Sequence, residues 1–101
     1  MAGEENDVAG ERAGVRFVDS SFSAEHRFSL GLDTGSGRHY VAIPVSNGLV
    51  DYEEYYGIGA EAFAVFSADP AAAVGFVEEC RRHEHDDLLL QAPGSNRGTP
   101  V

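Results

Sequence analysis

The chain has 101 residues, with seven arginines, no lysine and seventeen acidic residues, for a formal net charge of −10. That length holds one domain with a small core, and the charge argues against phosphate backbones and anionic lipid as partners, so neither nucleic acid nor membrane is expected. The single Cys80 excludes an internal disulfide and a cysteine-based zinc site, as suits a reducing cytosol.

No apolar run reaches the length of a membrane span, and the opening MAGEENDVAGERAG carries no hydrophobic leader, so a cytoplasmic location is expected. The lysine-free, alanine-, glycine- and arginine-rich usage suggests a GC-rich bacterial genome.

Residues 1–14 are polar and without period and are expected to be a disordered tail. Val15 to Val18 reads as a short first strand, followed by DSSFSAE as a loop. From His26 to Asp33 the alternation puts Phe28, Leu30 and Leu32 on one face of a strand, and Thr34 to Gly37 supplies a turn. The chain returns as Arg38 to Val45, with His39, Val41, Ile43 and Val45 in phase.

Asn47-Gly48 marks a second turn, leading into Leu49 to Tyr56. A tight Asn-Gly loop places Pro44 in a hydrogen-bonded pair with no N–H to give, so the preferred closure sets Val45 opposite Val50 around residues 46–49. In that register Phe28, Leu30, Leu32, Val41, Ile43, Val45, Val50 and Tyr52 form a core face. Arg27, Arg38, Tyr40, Asp51, Glu53 and Tyr55 form a solvated one.

Gly59 to Phe66 predicts a short helix with Phe63 and Phe66 inward. Asp69-Pro70 then starts a second helix running to about Arg82 or His83, with Ala73, Phe76, Val77 and Cys80 as one buried stripe. Leu88-Leu89-Leu90 either packs on the core or adds an edge strand. The ending QAPGSNRGTPV, residues 91–101, is broken by proline and glycine and is expected to be a disordered tail. These elements predict a single α+β domain over 15–90: an antiparallel β-meander of three or four strands, then two helices packed on one face.

The richest local chemistry is Asp51-Tyr52-Glu53-Glu54-Tyr55-Tyr56, which holds three of the four tyrosines. As a strand it splits by alternation. Asp51, Glu53 and Tyr55, with Tyr40, form a candidate interaction surface for a protein partner or a second copy of the chain. Tyr52, Glu54 and Tyr56 turn inward, with Tyr56 opposite His39 and Glu54 diagonal to it. A carboxylate there must pair with His39, bond to a tyrosine or lie at the sheet's rim in water; where it is buried, Glu54, His39, Tyr52 and Tyr56 form a candidate pocket for a polar ligand or proton exchange.

The run His83-Glu84-His85-Asp86-Asp87 suggests metal by composition, but on a helix His83 and His85 point about 200° apart, and no metal site is expected. Gly31, Gly35 and Gly37 lie between strands, not before a helix, and form no phosphate loop. Ser20, Ser21 and Ser23 near His26 lack the turn and oxyanion hole of a serine hydrolase. Cys80, on an apolar stripe, reads as an inert core thiol. No cofactor is expected, and the chain reads as a binding or protein-interaction module rather than an enzyme. In size, acidity and fold class it is similar to toxin-neutralising immunity proteins, with no shared motif residues to carry over.

Overall fold

The computed structural model describes residues 16–101, so the expected tail at 1–14 and Val15 lie outside the described residues. Strands β1 (Phe17–Ser23), β2 (Phe28–Asp33), β3 (Arg38–Ser46) and β4 (Asp51–Ile58) form an antiparallel meander in that order. Helix α1 (Ala60–Ala68), a 3-10 turn (Pro70–Ala73), α2 (Val74–Arg81) and a second 3-10 turn (Asp86–Leu88) follow. A two-residue strand, β5 (Thr99–Pro100), pairs with Val45 and Ser46 of β3 and completes a five-stranded sheet. The fold is α+β.

Helix packing follows the apolar periods. Phe28, Leu30, Val41, Ile43, Val45, Tyr56 and Ile58 of the sheet form one core with Ala73, Val77 and Cys80, and Phe63, Phe66 and Phe76 pack against it. Asp69 caps the second helical segment, its Oδ1 accepting from the Ala71 N–H at 3.2 Å beside Pro70. That segment begins as a 3-10 turn and becomes α-helical only at Val74.

Three features depart from the alternation. The first strand runs on to Ser23, through residues expected to be a loop, with a bulge between Asp19 and Ser21. The β3–β4 pairing sets Ser46 opposite Asp51, Val45 opposite Tyr52, Ile43 opposite Glu54, Val41 opposite Tyr56 and His39 opposite Ile58, two residues from the expected register. The cause is local: Asn47 Oδ1 accepts from the N–H groups of both Leu49 and Val50 at 3.0 Å, and Gly48 takes φ +88, so the loop is 47–50. A shift of two keeps every side chain on its face. It nevertheless puts Val50 in the loop, 57% exposed, and separates Glu54 from His39.

The third departure is the face expected to be solvated. Tyr40 is fully buried there, lying across Gly31, where a Cβ would strike its ring and hydroxyl. Its hydroxyl donates to Asp19 Oδ1 at 2.6 Å. Phe17 stacks on Tyr55 with ring centres 3.8 Å apart, and both rings meet Tyr40 edge-on. A small aromatic layer thus backs the sheet, while Leu32, expected in the core, is 37% exposed.

Candidate functional site

Glu54 is buried, with 6% of its surface exposed, on the helix-covered face of β4. Its Oε1 accepts from the Tyr56 hydroxyl at 2.9 Å, and that hydroxyl also lies 3.3 Å from the Cys80 carbonyl. The cation it needs comes from the C-terminal segment: Arg97 Nε donates to Oε2 at 2.7 Å and Nη2 to Oε1 at 3.1 Å. The same guanidinium donates to both oxygens of Asp86, at 2.8 and 3.0 Å. Burial and the bond to Glu54 push the Tyr56 phenol well above its usual range. Arg97 holds Asp86 below the usual carboxylate range, and the two carboxylates raise Arg97 in turn.

Residues 91–101 are therefore anchored, although they contain only the two-residue β5 as regular structure. Gly98 N–H donates to the Tyr52 hydroxyl at 2.6 Å, and Val101 N–H to the Pro44 carbonyl at 3.2 Å. Before this return the chain arches away from the sheet. Leu89 forms a bridge with Tyr56, and Leu90 N–H donates to the Tyr55 carbonyl at 2.8 Å, so the leucine run both packs on the core and pairs with the outer side of β4. Between the arch of residues 91–96 and Tyr52, Glu53, Glu54 and Tyr55 lies an open cleft of about 440 Å³.

Of the four residues expected to form a polar pocket, Glu54 and Tyr56 bond to each other and Tyr52 joins the same tail anchor. His39 is not among them: its ring stacks on Phe63 at 3.9 Å, four register positions from Glu54's partner Ile43. Arg97 and Asp86 were not foreseen as partners of Glu54, because the segment around Arg97 reads as a tail. The only signal was a buried carboxylate in need of a cation in a chain with seven of them.

Of the expected interaction residues, Tyr55 and Tyr40 meet in the aromatic layer, where Tyr40 is fully buried and not at a surface; Glu53 is half-buried beside Tyr55, and Asp51 is exposed at the start of β4. Burial, then the nearby charge of Asp19, pushes the Glu53 carboxyl above its usual range. The Tyr55 phenol is pushed up to about 12 by burial and by the charges of Glu53 and Asp19. Among the described residues, neither Asp51, Glu53 nor Asp19 forms an ion pair with an arginine.

Other candidates are in structural use. His85 meets Glu79 at 2.7 Å and stacks on Phe76, and among the described residues no three metal-ligating side chains converge. Cys80 is buried, its thiol pushed up to about 12 by burial and by the charges of Glu79, Glu54 and Asp86. Asp33 sits at the β2–β3 turn, fully buried, where Arg16 bonds both its oxygens at 2.7 and 2.9 Å and Ser36 Oγ and Gly35 N–H donate to it. Among the described residues no helix is long and apolar enough to cross a membrane.

No protein-family model matches the chain, and no curated protein and no solved structure is significantly similar to it.

Proposed function

We propose that the chain is a non-enzymatic protein-interaction module that engages a basic protein through the acid-and-tyrosine side of β4, chiefly Asp51, Glu53 and Tyr55, with the buried Tyr40 of β3 holding the Tyr55 ring in place. The observation that carries this reading is a division among the carboxylates. Asp33 and Glu54, the buried ones, are each neutralised by a two-nitrogen arginine clamp, whereas Glu53 stands beside the packed Tyr55 phenol and Asp51 lies exposed on the same strand, with no arginine paired to either among the described residues. Half-buried acid beside rigid aromatic surface suits recognition of a cationic partner, and the net charge of −10 steers such a partner in.

The test is affinity capture from the native lysate with the full chain, its Glu53→Lys variant and, as control, Glu61→Lys on the exposed start of α1. A partner retained by the wild type and the control and lost by Glu53→Lys supports the reading. A single-chain mass by light scattering, with no captured protein sensitive to Glu53, counts decisively against it.

A further inference from the structure

We infer that the outer edge of β4 from Asp51 to Tyr55 takes an extended, basic segment of the partner protein as an added strand, threaded between that edge and the arch of residues 91–96. The inference rests on the function proposed above and names the shape and chemistry of the partner.

The edge already accepts a strand-like segment. Leu89 and Leu90 occupy its far end through the bridge to Tyr56 and the bond to the Tyr55 carbonyl. That bond shows that the Tyr55 carbonyl points away from β3. Backbone groups alternate along an antiparallel strand, so the N–H and C=O of Glu53 point the same way. The pairing agrees, because Glu53 stands opposite Pro44, whose carbonyl faces β5 and accepts from Val101. Among the described residues the outward groups of Glu53 and the Tyr55 N–H have no backbone partner outside the sheet, and both residues line the cleft. An unpaired edge of this kind is a template for strand addition.

The cleft, at about 440 Å³, lies within the range of about 300–1,000 Å³ usual for binding sites. Its chemistry selects the occupant. A strand laid along Glu53 places alternate side chains on the reverse face, beside Glu53, a carboxylate on which the charge of Asp19 already acts. A cation there relieves their mutual repulsion, while an acid adds to it. Arg97, at the other side of β4, is fully engaged by Glu54 and Asp86. Two alternative occupants fit less well: a second copy brings Asp51 and Glu53 against their own kind, and residues 1–15 carry four acids and one arginine.

The probe is a capped peptide, Thr-Arg-Val-Arg-Val-Arg-Thr, titrated into the ¹⁵N-labelled full chain, beside two versions N-methylated at alternate residues. Strand addition predicts amide shifts over residues 51–55 and 91–96, a loss of affinity of at least tenfold for one N-methylated version, and about fivefold weakening by Glu53→Gln. Equal binding by all three peptides overturns it, leaving only a charged surface, and the proposed function then stands without strand addition. No binding by any peptide, alongside partner capture that still depends on Glu53, also overturns it. So do shifts at residues 51–55 that grow with chain concentration alone, or that follow deletion of residues 1–15, since the edge then belongs to a second copy or to the chain itself.

Discussion

Arg97 bonds Glu54 through Nε and Nη2 while Nη1 and Nη2 bond Asp86, so one guanidinium ties the β4 strand, the 3-10 turn after α2 and the C-terminal segment together. Removing it leaves a buried carboxylate without its cation. Arg97→Gln is expected to destabilise the chain by about 2–3 kcal/mol, the scale of hydrogen bonds to charged groups, read as a lower urea midpoint. Adding Glu54→Gln to it should restore much of the loss, because the variant pair no longer contains an uncompensated charge. Strictly additive losses would mean that the two side chains do not act on each other.

Gly31 is held to glycine by Tyr40, whose ring lies where a Cβ would project, and by the Val18 carbonyl, which a Cβ would also strike. Gly31→Ala is expected to cost about 1–3 kcal/mol through overpacking. Near-ultraviolet circular dichroism should lose the signal of the Phe17, Tyr40 and Tyr55 layer while the far-ultraviolet spectrum persists. A variant as stable as wild type, with an unchanged aromatic spectrum, would show that Tyr40 does not cross this glycine.

The acid limb of stability should come from Asp33 and Asp86. Arg16 holds Asp33 well below the usual carboxylate range, and Arg97 holds Asp86 below it. A lowered folded-state pKa gives stability that is complete above the ordinary value of about 4 and is lost as pH falls through the folded value. Urea midpoints are thus expected to be flat from neutrality down to about pH 5 and to fall below that. In Asp33→Asn the fall should be shallower, since the strongest of these linkages is gone.

How much of this was legible in the chain depends on range. The meander, the facing of each strand residue and the stripe Ala73, Val77 and Cys80 follow from local period, and a register shift of two left facing intact. The loop itself turned on Asn47 bonding its own backbone, a competition between side chain and ladder that periodicity does not weigh. The buried reverse face was missed because Asp19, which accepts from the Tyr40 hydroxyl, lies in the polar, serine-rich part of the first strand that resembles a loop. The candidate site was half visible: the inward facing of Glu54 follows from alternation, but its cation lies 43 residues away in a segment with no period at all.

On the alkaline side the sign reverses. Burial pushes the Tyr55 phenol and the Cys80 thiol up to about 12 and raises Tyr40 and Tyr56 further. A raised folded-state pKa gives stability that is complete below the ordinary value, 9.0 for the thiol and 10.0 for the phenols, and is lost as pH rises through the folded value. Stability should therefore decline from about pH 9 upward, and most of the tyrosinate absorbance near 295 nm should appear together with unfolding rather than before it. Cys80 should share that gate. At pH 8 a disulfide reagent is expected to label it slowly in the native chain and at once in urea, because both access and ionisation require opening of the core. Fast native labelling, or tyrosinate signals that rise while the circular dichroism is still native, would place these groups in water and remove the linkage.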